Sequence, residues 1–210
     1  MIELDYAKLT ATPISASPFP HVVVSDFVHR ATLDAVLADL PSLGRRGSFP
    51  VDAVRLGPNA AALMEAIEGP MLRAAVERLF GLDLQNSPTM VTLRGWTSPR
   101  DGRIHCDSLA KRVTVLLYLN RETDAWSRQE GCLRLLRGPK DLEDFAVEVP
   151  PVNGTLLIFP NGPTTWHGHR PFVGQRYSVQ LNYMTTDDKA RSELRRHRIS
   201  AFVKRFTMAA

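Results

Sequence analysis

From Met90 to Met184 the chain is a run of short segments rich in β-branched and apolar residues, and this run constrains the fold more than any other feature. Met90–Trp96, Val113–Leu119, Cys132–Leu136, Phe145–Val149, Thr155–Phe159 and Tyr177–Met184 have strand length and strand composition, with turn signals between them. Such a series predicts an antiparallel sandwich or barrel packed against the helices that precede it. The strand after Arg176 is the clearest. Arg176, Ser178, Gln180 and Asn182 fall on one face; Tyr177, Val179, Leu181 and Tyr183 fall on the other. The apolar face must bury against something. The polar face meets solvent or lines a wet cavity, and an arginine at its head favours the cavity. The same parity puts Thr114, Leu116 and Tyr118 on one face of Arg112–Tyr118.

The first half has helical spacing. Residues 18–24, Pro-Phe-Pro-His-Val-Val-Val, read as a short strand reached through prolines. Ser25-Asp26 precedes a periodic stretch from Phe27 to Leu40, with Leu33, Val36, Leu37 and Leu40 on one face and Pro41 at its end. Residues 60–80 are helical on both sides of a Gly69-Pro70 break, and Gly81 is the expected C-cap. Residues 44–59, rich in Gly, Pro and Arg, predict a long loop, either a lid or a plain surface excursion. In the tail, Arg191, Arg195, Arg196, Arg198, Lys204 and Arg205 surround Ile199, Phe202, Val203 and Phe206. That spacing is an amphipathic helix docked on the core with a solvated basic face; a nucleic-acid or subunit contact is the other reading.

The 210 residues suffice for one domain with a sizeable core. The expected organisation is a single domain, 1–210, with a helical part over about 1–85, a strand-rich core over about 86–186 and a basic helix over about 187–206. A net charge of +4 is too mild to argue for nucleic acid, and the oligomeric state is not legible. Cys106 and Cys132 form no disulfide framework and read as free thiols in a reducing compartment. The sequence shows no signal peptide and no apolar stretch of membrane-spanning length, so the expectation is a cytoplasmic protein with no membrane partner.

The chemistry sits in His105-Cys106-Asp107, with His167 downstream and Arg176 nine residues after it. In a strand, His105 and Asp107 project to the same side and can bind one ion. Two imidazoles and one carboxylate hold Fe(II) on one face and leave positions open, whereas a structural zinc site wants four ligands, often thiolates. His169 shares the strand parity of His167, so geometry alone leaves both as candidates for the third ligand. Trp96 and Trp126 border the triplet as substrate wall or as ordinary anchors. Arg94 either meets an acidic substrate or extends to solvent.

Arg103-Ile104-His105-Cys106-Asp107-Ser108, Val113–Asn120, Gly131–Leu135 and Trp166–Arg176 together resemble 2-oxoglutarate/Fe(II)-dependent oxygenases of the prolyl-4-hydroxylase-like type. The resemblance covers roughly residues 90–184, in order. It implies an α+β fold with a double-stranded β-helix, or jelly-roll, core packed against the N-terminal helices. It implies Fe(II), 2-oxoglutarate and O2 as requirements. It implies His105, Asp107 and His167 as iron ligands and the catalytic centre, and Arg176 as the partner of the far 2-oxoglutarate carboxylate. Tyr118 matches a tyrosine that donates a hydrogen bond to that carboxylate, and Thr114 and Ser178 lie on faces from which they can help. The spacing to Arg176 matches the family for His167, not for His169. Asp107, which related halogenases drop, points to oxidation at carbon.

Departures are few. Relatives often have Gly-Gly where this chain has Gly131-Cys132, and Thr or Val in place of Cys106. Gly95–Asp101 lacks the tyrosines that hold the cofactor in some prolyl hydroxylases, which argues against a peptidyl-proline substrate. The resulting expectation is a dioxygenase that hydroxylates a small-molecule or carrier-attached metabolite. The alternatives are a protein side-chain hydroxylase of the prolyl type and a non-catalytic jelly-roll sensor.

Overall fold

A computed structural model of the chain describes residues 2–122 and 131–208, with side chains as far as Ala201. Its frame is a six-stranded antiparallel sheet in the spatial order β1 (Val22–Val24), β7 (Leu156–Pro160), β4 (Lys111–Tyr118), β9 (Gly174–Met184), β3 (Thr89–Thr97) and β2 (Phe49–Pro50). A three-stranded sheet orders β6 (Phe145–Val149), β5 (Leu133–Leu136) and β8 (His167–Gly168).

Alternation along the strands assigns each face of the large sheet. Leu93, Val113, Val115, Leu117, Ile158, Val179, Leu181 and Tyr183 join one apolar cluster with helices α2 (Arg30–Asp39), α3 (Pro58–Glu68) and α4 (Pro70–Phe80). The helices supply matching stripes: Leu33 and Val36; Ala60, Leu63, Met64 and Ile67; Leu72, Ala75 and Val76. Leu63 is wholly buried, and truncating it to Ala costs about 2–5 kcal/mol. The other face carries Arg94, Thr114, Leu116, Tyr118, Leu157, Phe159, Ser178, Gln180 and Asn182. Against the small sheet the space divides. Phe19, Leu133, Leu135, Val149, Leu157 and Phe159 form a second apolar cluster with Tyr118. The polar residues line what remains.

The mixed helix-and-sheet class and the antiparallel strands agree with the sequence reading; the differences lie at the edges. The helix expected from Phe27 starts at Arg30, because Asp26 takes a left-handed φ of 52° and Phe27 is already buried in the core. Helices α3 and α4 meet at the expected break, each with proline in its first turn, and Gly81 closes α4 at φ 63°. A short helix α1 (Tyr6–Ala11), capped by Asp5 accepting from the Lys8 amide at 2.8 Å, is announced by no apolar period.

The segment 44–59 is irregular for much of its length, as its composition predicts, but two short elements interrupt it before α3 begins at Pro58. Phe49 and Pro50 form edge strand β2, paired with Leu93 and Thr92, and a 3-10 turn at Val51–Ala53 follows. Burial of the Phe49 ring anchors it, and a sheet edge is where a residue without an N–H is tolerated. Helix α5 (Asp188–Met208) packs beside β2 and this turn. Its buried positions are Ala190 and Ala201, with Leu194 packed on Ala110 and Met184. Ile199 is 54% exposed and so lies off the docking face expected for it. The side chains of Phe202, Val203, Lys204, Arg205 and Phe206 lie outside the described ones, while Arg191, Arg195, Arg196 and Arg198 are exposed. No helix of the described residues is long and apolar enough to cross a membrane.

Candidate metal centre and anion pocket

After β3 the chain crosses to the small sheet, where His105 and His167 exchange backbone hydrogen bonds. The His105 amide donates to the His167 carbonyl at 3.0 Å, and the His167 amide to the His105 carbonyl at 2.9 Å. This bridge brings the two ring centroids to 4.4 Å, with the planes tilted by 56°. Asp107 turns its carboxylate to the same point, and one potential ligand atom from each of His105, Asp107 and His167 lies within 4.8 Å of the others. Among the described residues this is the one such group of three.

Both rings are oriented by backbone carbonyls. His105 Nδ1 is 2.8 Å from the Arg103 carbonyl and His167 Nδ1 is 2.9 Å from that of Thr165. A carbonyl only accepts, so Nδ1 carries the proton and Nε2 keeps its lone pair for a metal. Burial, and then neighbouring His105, bring the His167 pKa down to about 4, so the ring is neutral at pH 7.

Asp107 is ionised for a different reason. Burial alone would raise its pKa. Lys111, whose ammonium is 2.8 Å from Oδ1, His167, and the Thr114 hydroxyl donating to Oδ2 at 2.6 Å outweigh burial and hold the carboxyl below its ordinary range. Gln180 Nε2 lies 3.4 Å from Oδ2. Two imidazoles and a carboxylate, without a fourth protein donor in the group, suit a divalent iron with open positions better than a closed structural zinc.

These groups line a cavity of about 120 Å³ between the sheets. At its other end Arg176 is 5% exposed. Its guanidinium lies over the Tyr118 ring at 5.2 Å, and its Nε–H donates to the Gly131 carbonyl at 2.9 Å. Its Nη2 is buried without a partner, a cost that an acceptor on a bound ligand would remove. A planar guanidinium fits a carboxylate. Burial pushes the Tyr118 pKa up, against the pull of Arg176, so the phenol is protonated and able to donate. Ser178 is 2% exposed and is the cross-strand partner of both Tyr118 and Arg94.

The structure redistributes several residues. Thr114, expected near the arginine, gives its proton to Asp107, four residues along β4 from Tyr118 and so about 13 Å of strand away. His169 lines the cavity with its Nδ1 2.8 Å from the Arg170 carbonyl, but it is outside the three-residue group. Arg94 does not extend to solvent: it lines the cavity, and its Nε is buried and unpartnered. The β3–β9 register shifts between Arg94 and Trp96, at Gly95, where a Cβ would fall 2.6 Å from Leu43 Cβ. Trp96 is half-buried and does not line the cavity; Trp126 lies outside the described residues. Cys106 and Cys132 are free thiols, and burial pushes Cys132 up to about 11. Lys111 has no motif to mark it, whereas Gln180 follows from the polar row that Arg176 heads. Lys111 follows a turn in which its amide bonds the Ser108 carbonyl, which returns it to Asp107.

Residues 98–184 match the model of the 2OG-Fe(II) oxygenase superfamily. The fold is similar to that of a Pseudomonas putida prolyl-4-hydroxylase, with a TM-score of 0.55 and 18% identity over 86% of this chain and 91% of that one. A Trichoplax adhaerens prolyl hydroxylase, solved with a hypoxia inducible factor peptide, gives 0.55 and 21% over 90% of each chain. HygX from Streptomyces hygroscopicus, solved with nickel and 2-oxoglutarate, gives 0.54 and 15% over 79% of this chain and 83% of that one. No curated protein matches the sequence at a significant level.

Proposed function

We propose, for a chain whose residues 98–184 belong to the 2OG-Fe(II) oxygenase superfamily, that the cavity between the sheets hydroxylates a small-molecule or carrier-attached metabolite. Membership makes the protein an oxidoreductase of the dioxygenase type, dependent on Fe(II), 2-oxoglutarate and O2. One observation carries the assignment of residues: His105, Asp107 and His167 meet within 4.8 Å, in a cavity that also holds the buried, unsatisfied Nη2 of Arg176.

In this reading His105 and His167 hold iron through Nε2 and Asp107 through its carboxylate. Arg176 takes the far carboxylate of 2-oxoglutarate, with Tyr118 donating its phenolic proton and Ser178 beside them. Bound there, iron and 2-oxoglutarate supply the O2 activation that side chains lack. The chain's own work is positional. The Gly131 carbonyl fixes Arg176, Thr114 and Lys111 fix Asp107, and Leu116 and Leu133 help wall off water. The two sheets then form the walls of a double-stranded β-helix within a single domain, 1–210, and a cytoplasmic location accords with two free thiols. A protein side-chain hydroxylase is the nearest other reading. A compact cavity with Arg94 and Lys111 in its lining favours a small polar substrate over a peptide laid along a groove.

The test is direct. Loaded with Fe(II) without air, then given 2-oxoglutarate and O2, the wild-type protein should release succinate, and Asp107→Ala should not. Wild-type protein that binds iron yet releases no succinate with or without added metabolites would overturn the proposal.

A further inference from the structure

The cavity lining contains three cationic side chains, Arg94, Lys111 and Arg176, and one carboxylate, Asp107. Fe(II) and the 2-oxoglutarate dianion cancel in charge, so the loaded site keeps an excess of positive charge. Two of the three cations are already engaged in the reading above. Lys111 is 2.8 Å from Asp107, and Arg176 leans over Tyr118 on β4 and bonds the Gly131 carbonyl.

Arg94 stands on the opposite flank. It pairs with Ser178 from β3 as Tyr118 does from β4, so the two are two strand spacings apart, about 10 Å at the backbone. Its Nε is buried without a partner, and the neighbouring register shift at Gly95 re-aims this part of β3. Asp101, within electrostatic reach, is engaged by the Ser98 amide and hydroxyl and by Arg46 instead. A guanidinium desolvated in this way calls for an anion, and a neutral or cationic group there would leave it unpaired.

Building on the proposed function, we infer that Arg94 selects the primary substrate by pairing with a carboxylate that the substrate carries. The cavity thus has two anion positions: Arg176 for the cosubstrate and Arg94 for the molecule to be oxidised.

Two measurements test this. The first is calorimetric titration of 2-oxoglutarate into anaerobic Fe(II)-loaded wild type and Arg94→Gln. The second scores a set of α-amino acids, 2-hydroxy acids and N-acetyl amino acids, each paired with its methyl ester. Binding to the Fe(II)/2-oxoglutarate protein and stimulated succinate release are the readouts. Arg94→Gln should bind 2-oxoglutarate within about twofold of wild type, which also reports an intact fold. Wild type should bind at least one acid about ten- to a hundredfold better than its ester. Arg94→Gln should erase that difference, and Arg94→Lys should keep part of it. Equal binding of acid and ester by wild type, or no binding of any acid in the set, overturns the inference. So does an Arg94→Gln protein that loses 2-oxoglutarate affinity while keeping the acid–ester difference, since Arg94 is then a second cosubstrate anchor. If wild type neither binds 2-oxoglutarate nor releases succinate, the proposed function has failed and the inference falls with it.

Discussion

Lys111 holds its ammonium 2.8 Å from Asp107 Oδ1, with the two side chains only 13% and 9% exposed. A metal on Asp107 must share the carboxylate with this cation, and like charges so close repel. Lys111→Met keeps most of the stem and removes the charge. It should bind Fe(II) or Mn(II) about three- to tenfold more tightly than wild type, because one competitor is gone. Stripped with chelator, it should be about 1–3 kcal/mol less stable than wild type, since Asp107 is left buried without its partner. Equilibrium dialysis and thermal melts with and without chelator measure both effects.

The ligand assignment separates two histidines of the same strand parity. His167→Ala and His105→Ala should lose stoichiometric iron, whereas His169→Ala should retain it, because His169 lies outside the group whose ligand atoms converge. Metal content after gel filtration decides the point. Retention of iron by His167→Ala with its loss from His169→Ala would exchange their roles.

Arg176→Ala should weaken 2-oxoglutarate binding by two or more orders of magnitude while leaving iron affinity near wild type, as losing one member of a buried charge pair costs about 3–5 kcal/mol. Tyr118→Phe removes one hydrogen bond to a charged group, about 1.5–3 kcal/mol, and should do less. Calorimetry on the iron-loaded variants provides the comparison.

Acid should destabilise the metal-free protein through His167 and His169. Burial brings both down to about 4 in the fold. An unfolded histidine takes up its proton near 6.5, so between these values the unfolded chain binds more protons. The stability involved is complete above about pH 6.5 and drains away as pH falls toward 4, to an upper limit of roughly 3 kcal/mol per ring. Urea unfolding at pH 7 and pH 4.5 should show the loss, and His169→Gln should reduce it.

The two kinds of residue in this site differ in how far sequence reveals them. Strand parity puts Arg176, Ser178, Gln180 and Asn182 on one face, and the first three line the cavity. His105 and Asp107 announce themselves as a triplet. Arg94 does not, because its place in the cavity depends on the pairing of β3 with β9, a long-range fact. Lys111 lies four residues from Asp107 across a turn, a spacing with no meaning in a strand. Segment 44–59 is legible in part. Its glycines and prolines signal a loop, and one buried ring, Phe49, pins two residues of it as the edge strand β2. In α5 the basic residues are legible as a solvated face, while the docking stripe runs through Ala190, Leu194 and Ala201, too small or too sparse to stand out.

In the proposed site, His105, Asp107 and His167 form one iron centre serving a 2-oxoglutarate pocket that ends at Arg176. Anomalous diffraction at the iron edge, from crystals grown without air in Fe(II) and 2-oxoglutarate, tests it most directly. A single iron peak is expected, bonded to His105 Nε2, His167 Nε2 and the Asp107 carboxylate, with the far carboxylate of 2-oxoglutarate on Arg176. Iron bound to His169, or 2-oxoglutarate bound away from Arg176, would contradict it.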